Sequence, residues 1–231
     1  MQTEWGKVLD DAGFACAPQV LDKLTSYYQL LIAWNKKTNL TALTEPGAFI
    51  YKHILDSLYP ARYLRAGTLV DVGTGAGFPG LPLKLFLPQL QLTLVEASTK
   101  KIAFLEHCLT TLAIEAKIYH GRAEELGRTI HREGFSFATT RAVATLSVIC
   151  EYCLPLLTLG GTLLALKGPG GAEEIKSAAI AIDLLGGAVG DVIHYQLPNG
   201  DQRTLVLIKK VLPTPERFPR RAGIPAKKPI G

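Results

Sequence analysis

Residues 68–80 read TLVDVGTGAGFPG, a short apolar run that ends in an acid and passes directly into a glycine-rich turn. Glycines at 73, 75 and 77 let the backbone turn sharply and approach a ligand, because no Cβ stands in the way. The apolar run predicts a strand over 68–72, and PLKLFL after the turn predicts a short helix. This order is typical of the first unit of an open α/β sheet.

A second acid stands where such a sheet contacts a ribose. The next apolar run, QLTLVE over 91–96, predicts a second strand that ends at Glu96, 23 residues after Gly73. In open α/β sheets an acid at about this distance, roughly 20 residues on, binds ribose hydroxyls. The two features predict a nucleoside-containing ligand, against the alternative of an ordinary tight turn followed by a surface glutamate.

The glycine spacing also bears on which nucleoside binds. Gly75, Gly77 and Gly80 spell GxGxxG, the dinucleotide fingerprint, but this register starts two residues late. In the tighter register Phe78 occupies the place of the third glycine. S-adenosylmethionine (SAM) has no pyrophosphate, so it does not need three glycines around phosphate oxygens. It does need an acid near its amino group, and Asp71 directly precedes the turn. SAM is therefore favoured, and an NAD-dependent oxidoreductase remains an alternative.

Strands and helices alternate along the rest of the chain. Short apolar runs predict further strands at 117–120, 135–141, 162–168, 192–197 and 204–210. The last two flank Asn199-Gly200, which is a hairpin signal. The alternation predicts an α/β fold with a mostly parallel, doubly wound sheet and a C-terminal antiparallel hairpin.

Before the first strand, apolar residues recur at helical spacing from Val20 to Ile32 and again from Ile50 to Leu58. We therefore expect three parts. Residues 1–66 form a helical extension or cap, residues 67–210 form the cofactor-binding domain, and residues 211–231 form a tail.

The positive charge of the chain is concentrated at its C-terminal end. The net charge is +5, yet residues 209–231 hold seven Lys or Arg and one acid, so the remainder carries −1. The same segment holds five of the 14 prolines, which predicts an extended and poorly packed arm. Such an arm suits an RNA phosphate backbone, the alternative being a solubilising tail. The candidate RNA-binding cations are Lys36, Lys37, Lys52, Lys167, Arg220, Arg221, Lys227 and Lys228.

Composition excludes several classes of protein. With 231 residues, of which 48% are hydrophobic, the chain can fold on an ordinary core. No apolar run reaches the roughly 20 residues that span a bilayer. MQTEWGKVLD resembles neither a signal nor a transit peptide, so we expect a cytoplasmic protein. Cys150 and Cys153 form a single CxxC within an apolar stretch, which predicts buried thiols and no metal site.

Six sequence blocks carry a family resemblance. In chain order they are WNKKTNLTAL (34–43), KHILDSL (52–58), DVGTGAGFPGLPL (71–83), RAEEL (122–126), TRAVA (140–144) and LLALKG (163–168). Together they resemble the RsmG family, the bacterial small-subunit ribosomal RNA guanine-N7 methyltransferases formerly called glucose-inhibited division protein B. The resemblance covers about residues 20–210, and PRRAGIPAKKP resembles the ending of many members. Thr140, where serine is common, is a mild departure.

The resemblance implies a class I SAM-dependent methyltransferase with a Rossmann-like fold and a helical cap. It implies that Gly73 and Phe78 lie against the methionine part of SAM and that Glu96 lies on the ribose. Ala123 and Glu124 would contact the adenine, and Arg141 the sulfonium end. The expected cofactor set is Asp71, Gly73, Gly75, Gly77, Phe78, Glu96, Ala123, Glu124 and Arg141. The implied substrate is the guanine at nucleotide 527 of 16S ribosomal RNA, and the co-product is S-adenosylhomocysteine.

Methylation at guanine N7 requires few catalytic groups from the protein. Guanine N7 has a free lone pair and no proton to lose, so no general base is required and positioning is the main task. Arg141, at the carboxyl end of a predicted strand, is the leading candidate in the cleft. Asn39 and His53 are further candidates, against readings as a turn-forming asparagine and a structural histidine. Asp56 is expected to pair with His53 or with an arginine.

Three alternatives to this function remain open at the level of the sequence. The first is a SAM-dependent methyltransferase of another RNA site, a protein or a small molecule. The second is the NAD-dependent oxidoreductase. The third is a SAM-binding ribosomal RNA assembly factor without turnover. For the leading function we expect a monomer that acts on 16S ribosomal RNA or the small ribosomal subunit, with no membrane partner.

Overall fold

The computed structural model describes all 231 residues and contains one seven-stranded sheet in the order β3-β2-β1-β4-β5-β7-β6. Its strands are β1 (Gly67–Val72), β2 (Leu90–Glu96), β3 (Lys117–His120), β4 (Phe135–Arg141), β5 (Leu157–Lys167), β6 (Gly187–Gln196) and β7 (Gln202–Lys210). The first five strands pair in parallel, and β7 lies antiparallel to both β5 and β6. The predicted parallel sheet with a terminal antiparallel hairpin is confirmed.

The helices are spread over both faces of this sheet. They are α1 (Gln2–Asp11), α2 (Pro18–Thr38), α3 (Pro46–Ala48), α4 (Asp56–Leu58), α5 (Gly80–Phe86), α6 (Thr99–Thr111), α7 (Ala123–Leu126), α8 (Leu146–Cys153), α9 (Glu173–Leu184) and α10 (Ile224–Lys227). Between α3 and α4 the chain winds as a π-helix over Phe49–Leu55. This wider winding is rare and occurs often at functional sites.

One face of the sheet is covered by the N-terminal helices. Alternate strand residues such as Leu69 and Leu92 share a core of 32 buried residues with Trp5, Tyr27 and Phe49. Alternation along a strand directs such residues to one face. The strand β1 begins at Gly67, and the packing of this core continues across the predicted boundary at residue 66. The N-terminal segment therefore supplies 11 of the 32 residues in the core on this face of the sheet.

The opposite face is covered by α7, α8, α9 and the C-terminal tail. The tail is not poorly packed, so that expectation was wrong. Phe218 is buried in the second core cluster, and Ile230 packs against it. Arg132 donates hydrogen bonds to the carbonyl oxygens of Phe218 at 2.6 Å and Thr214 at 2.7 Å. An extended, proline-rich segment makes no internal backbone hydrogen bonds, so its carbonyl oxygens need donors from elsewhere. The Arg132 side chain supplies them here.

Candidate cofactor and acceptor site

The glycine turn lies at the carboxyl end of β1 and needs its glycines. Gly73, Gly75 and Gly77 have φ values of +69°, +62° and +102°, which side chains rarely adopt. A Cβ on Gly77 would lie 2.4 Å from the Leu81 side chain and 2.9 Å from the Tyr27 hydroxyl. A Cβ on Gly75 would meet nothing within 4 Å. The backbone at Gly75 therefore faces open space.

Glu96 ties this turn to the beginning of α6. Its Oε2 accepts a hydrogen bond from the Gly75 amide at 3.0 Å. Its Oε1 accepts from the amides of Ala97 at 3.0 Å and Ser98 at 2.9 Å. Three backbone donors on one carboxylate fix its orientation at the end of β2.

Asp71 is fully buried directly before the turn. Its Oδ2 accepts from the Thr74 hydroxyl at 2.6 Å and from the Gly80 amide at 2.8 Å. Its Oδ1 has no hydrogen-bond partner. Burial raises the pKa of this carboxyl to about 6, although its hydrogen bonds and Arg141 act in the opposite direction. A buried carboxylate oxygen without a partner is costly and calls for a donor.

A small cleft lies beside the turn, between the ends of β1 and β2 and the helices α7 and α8. Its volume is about 80 Å³, and four of the predicted cofactor residues line it: Gly73, Glu96, Ala123 and Glu124. The cleft is too small to enclose a nucleoside, so a ligand of that kind would lie in a groove open to solvent. Glu124 is buried, and its Oε1 accepts a hydrogen bond from the Gly223 amide of the tail at 2.9 Å.

A larger cavity of about 530 Å³, here called the acceptor cavity, opens beyond the end of β4. The ionisable side chains that line it are Lys52, His53, Asp56, Arg141, Lys167, Glu174, Asp201 and Arg203. The ring of Phe78, from the glycine turn, stacks on His53 with centroids 4.3 Å apart and an interplanar angle of 7°. The Arg141 guanidinium lies 5.0 Å from the Phe78 ring centroid. Phe78 thereby connects the glycine turn to the acceptor cavity.

The contacts of His53 assign its tautomer. Arg141 Nη2 lies 2.9 Å from His53 Nδ1, and since arginine only donates, Nδ1 carries no proton. His53 Nε2 then carries the hydrogen and donates to the Thr41 hydroxyl oxygen at 2.9 Å. Burial, and secondly the charge of Arg141, lower the pKa of His53 to about 3. His53 is therefore neutral, and its acceptor nitrogen is already occupied.

Asp56 joins the cap to the terminal hairpin. Its carboxylate accepts from Arg141 Nη1 at 3.3 Å and from the Tyr195 hydroxyl at 2.8 Å, and Arg203 Nε lies 3.5 Å away. Pairing of Asp56 with an arginine was expected from the sequence. Tyr195 and Arg203 were not, because they lie about 140 residues further along the chain and carry no local signal.

The predicted RNA-binding cations other than Arg220 fall into two groups. Those that are exposed and make no ion pair are Lys36, Lys37, Arg221, Lys227 and Lys228. Lys52 pairs with Asp201 at 3.2 Å and Lys167 pairs with Glu174 at 2.8 Å, both within the acceptor cavity.

Asn39 follows the last residue of α2 in a left-handed conformation (φ +46°), and its side chain is exposed, which fits the interpretation as a turn-forming asparagine.

Arg220 requires a correction. Its backbone amide, Nε and Nη2 all donate to the carboxylate of Glu151, with distances between 2.6 and 3.1 Å. The Glu151 side chain is only 1% exposed. Arg220 therefore anchors the tail on α8 and is not free to bind a phosphate.

The two cysteines of the CxxC lie in α8 and are buried free thiols, as expected. Burial raises the pKa of Cys150 to about 12. No group of three or more His, Cys, Asp or Glu side chains is arranged to hold a metal ion. None of the helices is long and apolar enough to cross a membrane.

The strand order, the antiparallel β7 and the glycine turn after β1 define a class I methyltransferase fold. A putative RNA methyltransferase from Pyrococcus horikoshii has the same fold, with a TM-score of 0.52, 13% identity and coverage of 81% of this chain and all of that chain. A precorrin-6y C5,15-methyltransferase from Geobacter metallireducens aligns with a TM-score of 0.51 and 12% identity over 67% of this chain and 85% of its own. At these identities the likeness shows the fold alone.

The chain belongs to the GidB family, whose description is rRNA small subunit methyltransferase G and whose model matches residues 20–206. A relative from Leuconostoc citreum, named ribosomal RNA small subunit methyltransferase G, is 44% identical over 229 residues and 96% of each chain. A relative of the same name from Chloroflexus aggregans is 44% identical over 232 residues, covering 99% of this chain and 94% of its own. The resemblance in the sequence is confirmed, and with it the methyltransferase class.

Proposed function

We propose that this protein transfers a methyl group from SAM to N7 of a guanine in 16S ribosomal RNA. The guanine at nucleotide 527 is the target that the family resemblance implies. The observation that carries the proposal is the acceptor cavity, in which the one histidine and all three carboxylates are paired with cations, so that no unpaired general base is present. Its one histidine is neutral and accepts from Arg141. A substrate that must lose a proton does not suit this cavity, whereas guanine N7 has no proton to lose.

The cofactor side supports SAM through the chemistry of its donors and acceptors. An ammonium group near Asp71 would satisfy the buried Oδ1, which has no partner in the protein. Ribose hydroxyls can donate to the lone pairs of Glu96 that remain beside its three amide bonds. The residues that would hold SAM are Asp71, Gly73, Gly75, Gly77, Phe78, Glu96, Ala123 and Glu124, with Arg141 at the sulfonium end. When bound, SAM supplies an electrophilic methyl group on a cationic sulfur.

On the acceptor side the protein positions the base and tolerates the charge that arises on it. N7-methylation leaves a positive charge on the purine, so the site must offset its own cations. Asp56, Glu174 and Asp201 supply three carboxylates among the cations of the acceptor cavity. The Phe78 ring lies behind the cavity wall, stacked on His53 and in contact with the Arg141 guanidinium, and so helps to hold both side chains in place. Positioning by such a preorganised site supplies the rate enhancement that a base supplies elsewhere.

We propose the small ribosomal subunit, or its RNA, as the partner of the protein, which would act as a monomer in the cytoplasm. The exposed cations on α2 and in the tail, Lys36, Lys37, Arg221, Lys227 and Lys228, suit an RNA backbone. Because the tail is docked on α7 and α8, its cations are presented from a fixed position rather than from a free arm.

A methyl-transfer assay tests the proposal. Purified protein receives SAM labelled in its methyl group, together with small subunits from cells that lack this gene. Naked 16S ribosomal RNA from the same cells forms a second arm. The RNA is then digested and its nucleosides are separated. We expect label in N7-methylguanosine.

Label in another nucleoside would keep the enzyme class and overturn the target atom. The absence of label in both arms, with SAM binding measured by calorimetry, would favour an assembly factor without turnover. A substitution of Arg141 by alanine serves as the negative control, since Arg141 contacts both His53 and Asp56 at the cavity wall.

A further inference from the structure

Every cation of the acceptor cavity is paired with an acid of the same cavity. Arg141 and Arg203 both contact Asp56, at 3.3 Å and 3.5 Å. Lys167 pairs with Glu174 at 2.8 Å. Asp201 accepts from Lys52 at 3.2 Å and from Arg203 Nη2 at 3.0 Å. Carboxylates of the protein thus occupy the same cations that would attract a phosphate.

The three acids are held very differently. Asp56 is 6% exposed and is fixed by the Tyr195 hydroxyl as well as by Arg141. Glu174 also accepts from the Leu146 amide at 2.6 Å, so it caps the first turn of α8. Asp201 is 32% exposed and lies in the turn between β6 and β7. The ion pairs of its carboxylate are made only with Lys52 and Arg203.

The geometry between Lys52 and Arg203 suits a phosphate. A guanidinium and an ammonium converge on one carboxylate from two different elements, the π-helix and β7. Arginine forks recognise carboxylates and phosphates in the same way. If Asp201 leaves, Arg203 keeps its contact with Asp56, so its orientation toward the cavity is retained. Neither cation would lose a charged partner when a phosphate takes the place of the carboxylate.

We propose that Asp201 stands in for an RNA phosphate in the free protein, and that a backbone phosphate next to the target nucleotide displaces it from Lys52 and Arg203. This inference rests on the proposed function, because it requires an RNA substrate in the acceptor cavity. It assigns Lys52 and Arg203 as one phosphate subsite and Asp201 as its internal competitor.

The test compares two substitutions that remove the same charge. Asp201→Asn removes the competitor, and Asp191→Asn removes an exposed acid of β6 that forms no ion pair. Dissociation constants are measured for a 16S ribosomal RNA fragment at low and at physiological salt, with melting temperatures of all variants. We expect Asp201→Asn to bind about three- to fivefold more tightly than the native protein, in line with loss of a partly screened pair. Asp191→Asn should change affinity less than twofold.

A double substitution shows whether the gain arises at the proposed subsite. In a Lys52→Gln background the effect of Asp201→Asn on RNA affinity should shrink to that of Asp191→Asn. The reason is that one of the two cations for which Asp201 and the phosphate compete is then absent. Equal effects of the two aspartate substitutions in the native background would overturn the proposal. So would an undiminished gain in the Lys52→Gln background.

A measurement on the native protein keeps the proposal testable if Asp201→Asn does not fold. The hydrogen bond from Lys52 lowers the pKa of the Asp201 carboxyl below its ordinary value. Carboxyl carbon NMR of the protein saturated with the RNA fragment should show this pKa rising toward the ordinary value. An unchanged pKa in the complex would mean that Asp201 stays in place. The labelled-nucleoside assay fails or succeeds independently of this result, so the two proposals are separable.

Discussion

The hydroxyl of Tyr27 donates a hydrogen bond of 2.5 Å to the carbonyl oxygen of Ala76, and so ties α2 to the glycine turn. Tyr27 is completely buried, and its ring packs on Phe78 with centroids 5.3 Å apart. The same helix ends near Lys36 and Lys37, which are exposed. The N-terminal cap is therefore part of the support of the glycine turn.

The first prediction concerns this hydrogen bond. Tyr27→Phe should raise the dissociation constant for SAM about five- to tenfold, because loss of one buried hydrogen bond costs about 1 kcal/mol and frees the turn. Isothermal titration calorimetry measures the change. The neighbouring Tyr28→Phe is a matched control, since the Tyr28 hydroxyl also donates to a carbonyl oxygen, but to that of Thr44 and to no atom of the glycine turn. Equal affinities of the two variants would contradict the prediction.

The second prediction separates two adjacent arginines of the tail. Arg220→Ala should lower the free energy of unfolding by about 2–3 kcal/mol, because it leaves the buried carboxylate of Glu151 without its charged partner. Arg221→Ala, at an exposed position, should change it by less than about 0.5 kcal/mol. Urea unfolding measures both values. A stable Arg220→Ala protein would show that the tail is not anchored through Glu151.

The third prediction concerns RNA binding by the end of the tail. Replacing Lys227 and Lys228 together by glutamine should weaken RNA binding and lower the magnitude of its log–log salt slope by about 1.5, since two phosphate contacts are removed. The melting temperature should stay unchanged, because both side chains are exposed. A slope equal to that of the native protein would exclude these lysines from the RNA surface. Deleting the whole tail is a poorer test, since it also removes Phe218 and exposes the part of the core on which Phe218 packs.

Much of the fold follows from local patterns. The glycine turn, the acid that ends β2 and the alternation of strands and helices are short-range signals, and each element they predict is present. The packing of the tail is different. Its prolines and charges predict an extended segment, and only the distant Arg132 and Glu151 reveal that the segment is docked.

The candidate site shows the same division. Glu96 and the glycines lie where strand endings place them. The acceptor cavity instead depends on a π-helix that presents His53 and on a hairpin that brings Arg203 to Asp56. No local spacing in the sequence predicts the surroundings of His53 or the contact between Arg203 and Asp56, because the residues that meet there are far apart along the chain. Long-range electrostatic pairs of this kind need the folded structure.

The last prediction uses the neutrality of His53. The pKa of His53 is about 3 in the folded protein, against an ordinary value of 6.5. Above pH 6.5 the ring is neutral in both states, and the full contribution of this residue to stability is present. As the pH falls below 6.5, the unfolded chain binds a proton that the folded chain excludes, so stability is lost progressively down to about pH 3.

Between pH 7 and pH 5 the free energy of unfolding of the native protein should therefore fall by about 2 kcal/mol more than that of the His53→Gln variant. Glutamine can still accept from Arg141 and donate to Thr41, so the variant keeps the local hydrogen bonds. Urea unfolding at pH 5, 6 and 7 measures the difference. Parallel stability curves for the two proteins would mean that His53 binds its proton equally well in the folded and unfolded states, and would contradict the prediction.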